Sequence, residues 1–337
     1  MTPNTKNNLI AVILCLFTII FFQQTVNATP FDIMVNQISQ SDYISYVMDL
    51  ENFGTRFYNT AGNTSAANYI YNEFASYGLS VAYDPFLYDG STYNNVVATL
   101  SGTTNPDNIY IVGAHFDSTS NDPQNSAPGA DDNASGIASV LEIASVLSQY
   151  SFNSTIEFIA FNLEEQGLKG SKAYADEAKA KGDDILGMLN FDMIAYTGNN
   201  PNEAIDVMGD GWLVDKLISH AATYTLLSTE AHYGNYYGSD HYYFHSTTYP
   251  GSSSIFCIED TPNEIWGGSN PYYHTTEDTS AHLNFDFAID VTKAGVATLA
   301  DIAVVVPEPI SIILFVIGGI ILASRRYLKV SRIGSSH

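Results

Sequence analysis

The sequence contains histidine and carboxylate residues at spacings that suggest a metal site. Most of them directly follow apolar segments of strand length, and the last lies far downstream. They are His115, Asp117, Asp131, Asp132, Glu164, Glu165, Asp192 and His274. Imidazoles and carboxylates without cysteine are the ligands expected for zinc in a site that keeps positions open for water and substrate. These residues therefore predict hydrolytic metal chemistry.

Alternating strand and helix patterns must position these residues. β-branched or apolar runs predict strands at 95–100, 109–114, 155–163, 185–191 and 254–258. Helical apolar spacing predicts helices at 65–77, 137–147, 212–224 and 285–304. This alternation predicts an α/β fold, a three-layer sandwich with a mostly parallel central sheet flanked by helices. Ligands of such sheets gather beyond the carboxyl ends of the strands, where these polar residues are predicted to lie.

Each short motif also has a purely structural explanation. His115 with Asp117 is a common surface or core pair, and Asp131-Asp132 before a helix is a natural N-terminal cap. Glu164-Glu165 taken alone is usually solvated charge. Their joint occurrence at successive strand ends favours a single site. The other histidines of the body are not assigned to metal, and they are His220, His232, His241, His245 and His282.

The ordered motifs resemble those of clan MH zinc metallopeptidases, specifically the family of the bacterial leucyl-type aminopeptidases. The matching segments are 113–118 (GAHFDS), 129–136 (GADDNASG), 164–167 (EEQG), 190–193 (NFDM) and His274-Thr275. The resemblance extends over roughly residues 38–304. It implies the zinc-exopeptidase fold and two Zn²⁺ ions per chain.

The resemblance also implies a role for each matched position. Asp131 is expected to bridge the two metals, with His115 and Asp192 on one and Glu165 and His274 on the other. A cis peptide bond is expected between Asp131 and Asp132.

The catalytic roles follow from the same match. Glu164 is expected to be the general base, pointing away from its neighbour Glu165 as adjacent residues of an extended chain do. Asp117 is expected to accept the proton on the second ring nitrogen of His115. Tyr236 matches a position whose hydroxyl stabilises the oxyanion, and Asp240 is expected to support the site.

One loop departs from the family pattern. Gly234 and Gly238 occupy the positions where close bacterial relatives carry a disulfide flanking the tyrosine, so a more mobile loop is expected around Tyr236. An apolar pocket for the first substrate residue is expected from four side chains, Met193, Phe256, Trp266 and Tyr272.

The charge of the chain restricts its partners. All 36 acidic residues lie between residues 29 and 309, and only seven Lys and Arg accompany them there. Such an excess of negative charge argues against nucleic-acid binding. A carboxypeptidase of the same clan would need an arginine for the substrate carboxylate, and the body has only Arg56. A glutaminyl cyclase of this clan and a non-catalytic surface protein on the same fold remain alternatives to an aminopeptidase acting on peptides with a free N-terminus.

Both ends of the chain resemble export signals. Residues 1–28 are predicted to be a signal peptide for signal peptidase, with a retained membrane anchor as the alternative. Residues 29–305 are predicted to form one catalytic domain. Residues 306–337 resemble a PEP-CTERM sorting tail that an exosortase-like enzyme processes, with a membrane segment at 310–323 and a basic end. An ordinary tail anchor is the alternative. Either reading predicts a protein of the cell envelope, cell surface or extracellular space.

Overall fold

A computed structural model describes residues 29–198, 204–259 and 270–306. The predicted signal peptide, the predicted sorting tail and Trp266 lie outside the described residues. No helix in the described ranges is both long and apolar enough to cross a membrane.

One sheet of eight strands organises the described body, in the spatial order β1-β2-β4-β3-β5-β8-β6-β7. The strands are β1 (Ser80–Tyr88), β2 (Ser91–Leu100), β3 (Asn105–His115), β4 (Ser154–Phe161), β5 (Asp184–Phe191), β6 (Ala204–Gly209), β7 (Ser228–Tyr233) and β8 (Ser254–Glu259). β4, β3, β5 and β8 run parallel, and β6 and β7 are parallel to each other. β1 pairs antiparallel with β2, β2 with β4 and β6 with β8. The sheet is therefore mixed, with a parallel centre.

Seven α-helices accompany this sheet in the described ranges. They are α1 (Pro30–Val35), α2 (Gln40–Glu51), α3 (Ala61–Ser76), α4 (Gly136–Leu147), α5 (Lys169–Lys181), α6 (Gly211–Tyr224) and α7 (Phe285–Ile302). The predicted flanking helices and the α/β fold class are confirmed. α1, α2, α5, β1, β6 and β7 were not predicted.

The core lies on both faces of the sheet. α4 is buried along almost its whole length because it packs between the sheet and the neighbouring helices α2 and α7. Apart from Glu142, its residues are apolar or small on all sides, which suits a helix without a solvent face. On the other face a second cluster forms around Phe161 and Phe244 beneath α5. The parallel strands pair directly with one another, so their carboxyl ends lie at the same edge of the sheet.

Candidate metal centre

The predicted site residues lie at the carboxyl ends of the parallel strands. β3 ends at His115, β5 ends one residue before Asp192, and Glu164 and Glu165 follow β4. Two neighbouring ladders, β3 with β4 and β3 with β5, bring these ends together at one edge. His274 arrives from a separate loop before α7. The topology thus explains how residues far apart in sequence converge.

Two triads of possible ligands share one carboxylate, that of Asp132. His115 Nε2 lies 3.2 Å from Asp132 Oδ1 and 3.3 Å from Asp192 Oδ1. His274 Nε2 lies 3.1 Å from Asp132 Oδ2 and 3.1 Å from Glu165 Oε2. In each triad the ligand atoms lie within 4.8 Å of one another. The two oxygens of Asp132 therefore face two different groups of ligands.

The bridging position belongs to Asp132, and the prediction of Asp131 is wrong by one residue in this geometry. Asp131 turns away: its Oδ1 accepts from the backbone N–H of Ala195 at 3.0 Å, and its Oδ2 accepts from Asn270 Nδ2 at 2.9 Å. Both oxygens are therefore occupied by scaffold groups. The cis peptide bond is likewise displaced by one residue and joins Asp132 to Asn133.

The turn that presents Asp132 is held from several sides. Gly129 has φ +55°, and a Cβ there would lie 2.4 Å from the carbonyl oxygen of Asp132, so only glycine fits. The carboxylate of Asp278 accepts from the backbone N–H groups of Asp131 at 2.9 Å and of Asp132 at 3.1 Å. Asn133 Nδ2 donates to the carbonyl of Phe191 at 2.9 Å. The orientation of Asp132 is thus set by its backbone contacts.

Asp117 orients two parts of the site at once. Its backbone oxygen lies 3.1 Å from His115 Nδ1, whereas its carboxylate Oδ1 is 3.6 Å from that nitrogen. The carboxylate instead accepts from the backbone N–H groups of Glu164 at 3.0 Å and Glu165 at 3.2 Å. The second ring nitrogen of His115 therefore contacts the main chain of Asp117, although its side chain was the expected partner. The side chain of Asp117 instead fixes the Glu164-Glu165 segment.

Glu164 and Glu165 lie in a turn, so their side chains do not alternate as they would along an extended chain. β4 ends at Phe161, Leu163 has φ +58°, and the carbonyl of Glu164 accepts from the backbone N–H of Gly167 at 2.7 Å. The turn nevertheless separates the two side chains. Glu165 reaches His274, while Glu164 lies in the field of His115 and Asp192.

Asp192 is supported by a hydroxyl relay that the sequence did not indicate. Its Oδ2 accepts from Ser239 Oγ at 2.6 Å, and Ser239 Oγ accepts in turn from Asn190 Nδ2 at 2.7 Å. Such outer contacts hold a ligating carboxylate in place. Ser239 lies within the loop that carries Tyr236, so its function could only be found from the fold. Next to it, Asp240 is fully buried, and burial raises its pKa to about 7.

The electrostatics of the site suit bound cations. Burial raises the pKa of Glu165 to about 8, with a further contribution from the nearby charge of Asp132. Burial opposes protonation of His274, but its hydrogen bonds to Asp132 and Glu165 raise its pKa to about 10. Among the described residues, the ligand carboxylates form ion pairs with histidine alone. Glu165 Oε1 is buried without a hydrogen-bond partner there.

The donor set fits two zinc ions. Ligand atoms that share one tetrahedral zinc at ~2 Å stand about 3.4 Å apart. The four separations between the histidine nitrogens and carboxylate oxygens are 3.1 to 3.3 Å. Among the described residues no lysine or arginine pairs with these carboxylates, and buried carboxylates are costly unless cations neutralise them. The spacing of the ligand atoms and their negative charge therefore both suit zinc.

Two of the four residues expected to form an apolar pocket, Met193 and Phe256, lie in one buried apolar cluster. Met193 and Phe256 form a buried cluster with Met208 and Ile258, and Tyr236 and Tyr273 pack against it. Tyr272 instead stacks on His282 with ring centroids 3.7 Å apart. Of the two tyrosines, Tyr273 packs against this cluster and Tyr272 contacts His282.

Arg56 belongs to the scaffold behind the site. It is fully buried and donates to the backbone oxygens of Phe116 at 2.7 Å, Leu50 at 3.1 Å, Pro128 at 2.6 Å and Gly129 at 2.8 Å. A guanidinium that is bonded in this way is not free to meet a substrate carboxylate. The only arginine of the body thus stabilises the segments that precede Asp117 and Asp131.

Comparison with known protein families identifies the family of this chain. Residues 95–299 match the model of peptidase family M28. The chain belongs to this family. It is therefore a hydrolase, and the expected resemblance is confirmed at the level of the family.

Individual relatives and structures extend the comparison. A probable leucine aminopeptidase of Trichophyton verrucosum is 29% identical over 80% of this chain and 73% of its own length. The structure of a zinc aminopeptidase from Bacillus subtilis, BSAP, has a TM-score of 0.68 and 18% identity, covering 79% of this chain and 95% of that one. A glutaminyl cyclase from Bacteroides thetaiotaomicron has a TM-score of 0.62 and 18% identity, covering 78% and 97%. At such identities the two structures show the fold alone.

Proposed function

We propose that this family M28 chain is a dinuclear zinc aminopeptidase that hydrolyses the N-terminal peptide bond of peptides. The observation that carries the proposal is the position of the Asp132 carboxylate, with one oxygen facing His115 and Asp192 and the other facing His274 and Glu165. The leucine aminopeptidase name of the fungal relative supports the same activity.

The proposed ligands are His115, Asp132 and Asp192 for one zinc and Asp132, Glu165 and His274 for the other. Zinc bound there would supply a Lewis acid for the scissile carbonyl and lower the pKa of a water molecule. The remaining steps belong to residues of the chain.

Glu164 is the proposed general base. It directly precedes the proposed ligand Glu165, and its backbone N–H donates to the carboxylate of Asp117. Burial raises the pKa of its carboxyl well above the ordinary value. A carboxylate of raised pKa takes a proton from water more readily and can then deliver it to the leaving amine. Tyr236 is proposed to donate its hydroxyl to the oxyanion. Its ring packs on the cluster of Met193 and Phe256 next to the ligands.

The preference for a free N-terminus follows from charge. Glu164 is not a proposed ligand, and its carboxylate adds negative charge near Asp192, which suits the cationic α-amine of a peptide. A carboxypeptidase is disfavoured because Arg56 is committed to four backbone oxygens. Two complete triads favour a two-metal peptidase over a cyclase, which typically works with one zinc.

Export is part of the proposal. The N-terminal signal and the C-terminal sorting tail predict transport across the membrane, with signal peptidase and an exosortase-like enzyme as processing partners. Both segments lie outside the described residues, and both stay predictions. The proposed location is the cell envelope, the surface or the medium.

The experiment that tests the function is amino-acid release from matched peptides with free and acetylated N-termini, with and without added zinc. Zinc-dependent release from the free peptides alone would support the proposal. Conversion of N-terminal glutamine to a cyclic product, without amino-acid release, would favour a cyclase. Absence of both activities in protein loaded with two zinc equivalents would contradict the assignment.

A further inference from the structure

A groove separate from the metal ligands lies between the beginning of α3 and the strands β1 and β2. Its cavity volume is about 480 Å³, within the range of ~300 to 1,000 Å³ that is usual for small-molecule sites. The groove is lined by Asn59 and neighbouring residues of α3, by Tyr83 on β1, by residues of β2 and by Asn162 at the end of β4. Four separate segments therefore build its walls.

The lining carries no charged side chain. It consists of five asparagines, three threonines, two tyrosines and two alanines, in a body that has 36 acidic residues. A site for an anion or a cation would need opposite charge, because burying an unpaired charge is costly. The groove therefore suits a neutral ligand that has many hydrogen-bonding groups.

The floor of the groove is preorganised by a pair of amides. Asn63 Nδ2 donates to Asn162 Oδ1 at 2.9 Å, and Asn162 Nδ2 donates to Asn63 Oδ1 at 3.1 Å. Both residues are more than nine-tenths buried. In the described part of the chain, the side chains of Thr64 and Thr92, which are exposed, and of Asn94, which is partly exposed, have no protein hydrogen-bond partner. Asparagine and threonine each offer both donors and acceptors, so these three groups can pair with hydroxyls in either sense.

Two tyrosine rings add flat apolar surface at the groove. Tyr83 is 40% exposed, stacks on Tyr71 at a centroid distance of 4.8 Å and donates its hydroxyl to Asn68 Oδ1 at 2.6 Å. Tyr93 is held by ring contacts with Tyr58 at 6.0 Å and with Tyr88 at 6.4 Å. Rings fixed in this way present an apolar face with a polar tip. A sugar ring has the complementary character, with C–H faces and a rim of hydroxyls.

We propose that this groove binds a neutral saccharide of one to two units. The uncharged lining, the amides and hydroxyls that have no protein partner and the fixed tyrosine rings each match a part of such a ligand. The groove would then be a binding site for carbohydrate on a peptidase body, independent of the hydrolytic activity proposed above.

The test uses the purified chain and three neutral disaccharides as probes: cellobiose, maltose and N,N′-diacetylchitobiose. Binding is measured by saturation-transfer NMR and by calorimetry. Thr64→Glu places a charge and extra volume in the lining, and Ser65→Glu is the matched control because Ser65 is the next, exposed residue of α3 and does not line the groove. At least one disaccharide should bind, with a Kd at least tenfold weaker in Thr64→Glu and unchanged in Ser65→Glu.

Three results would overturn the proposal. The first is failure of all three disaccharides to bind at millimolar concentration. The second is equal binding to both variants, which would place the sugar elsewhere. The third is binding of an acetylated, amidated triglycine in place of the sugars, which would identify the groove as a site for peptide main chain. Melting curves of both variants check that the fold is intact.

Discussion

The carboxylate of Asp278 accepts a hydrogen bond from the backbone N–H of Asp132 at 3.1 Å. Its other oxygen accepts from the N–H of Asp131, and its backbone oxygen accepts from the N–H of Ala130 at 3.1 Å. Asp278 stands four residues after His274, so one loop carries a ligand and also holds the turn of the shared carboxylate. The loop of His274 and the turn of Asp132 are therefore held together by direct hydrogen bonds.

Replacement of Asp278 by alanine should weaken zinc binding without removing a ligand. Loss of a group that orients ligands typically lowers metal affinity by ~10- to 100-fold. Competition with a chromophoric chelator measures the two affinities. Glu277→Ala is the matched control because Glu277 is the exposed neighbour, and its affinities should equal those of the unchanged protein. Equal affinities in the Asp278 variant would show that the turn does not need this residue.

The variants Asp132→Asn and Asp131→Asn should distinguish the roles of these two neighbouring carboxylates. Loss of the shared ligand should reduce the zinc content of Asp132→Asn from two equivalents to one or fewer. Asp131→Asn should keep two, since Asp131 bonds to Ala195 and Asn270. Its stability should fall by about 1 to 3 kcal/mol, because asparagine has one acceptor oxygen and one of these two buried donors loses its partner. Metal analysis after gel filtration gives the ratios. Two equivalents in Asp132→Asn would contradict the proposed bridge.

Residue patterns predicted the centre of the fold better than its edges. β3, β4, β5 and β8 each contain an apolar run because both faces of these strands are covered along most of their length, and α4 and α7 have strong helical spacing. β1 and β7 have largely exposed side chains and α5 is rich in lysine and alanine, so their apolar pattern is weak. Tertiary pairing decides the structure of these elements.

Site residues were predicted to the level of the motif but not always to the residue. His115, Glu165, Asp192 and His274 meet as expected because strand ends converge. Which of Asp131 and Asp132 faces both groups of ligands depends on the backbone conformation of one tight turn. The sequence shows two identical side chains there and does not distinguish them. Ser239 and Asp278 act through contacts across the fold, with no local signal that identifies their partners.

Glu164→Gln should abolish most turnover while leaving two zinc ions bound. Glutamine keeps the shape and the backbone contact to Asp117 but cannot take a proton, and loss of a general base costs ~100- to 10,000-fold in rate. The readouts are kcat on a free peptide and the zinc content of the same sample. Gln166→Ala, next to the two glutamates in the same turn, serves as the control. Turnover above a tenth of the original value would exclude Glu164 as the base.

Arg56→Lys should destabilise the fold strongly. The guanidinium donates to four backbone oxygens, whereas a lysine has three donors on a single nitrogen and cannot span them. Buried acceptors left without partners cost ~1 to 3 kcal/mol each, so a loss above about 3 kcal/mol is expected in urea unfolding. Lys293→Arg, at a partly exposed position, is the control for basic exchange. An unchanged stability together with a changed peptide specificity would contradict this prediction, because it would mean that Arg56 contacts the substrate.

Glu142→Gln should change how stability depends on pH. Glu142 is 2% exposed and accepts from the backbone N–H of Ser39 at 2.9 Å, and burial raises the pKa of its carboxyl from 4.5 to about 7. Between pH 4.5 and pH 7, Glu142 binds more protons in the folded chain than in the unfolded chain. The contribution of Glu142 to the free energy of unfolding therefore falls as pH rises from 4.5 through 7, and it is constant above this range. Glutamine keeps the acceptor for Ser39 without this cost. The free energy of unfolding of the variant minus that of the unchanged protein should therefore increase over this pH range by ~3 kcal/mol at most. Urea titrations of both proteins at a series of pH values measure it, and a difference that is constant with pH would show that Glu142 ionises normally in the folded chain.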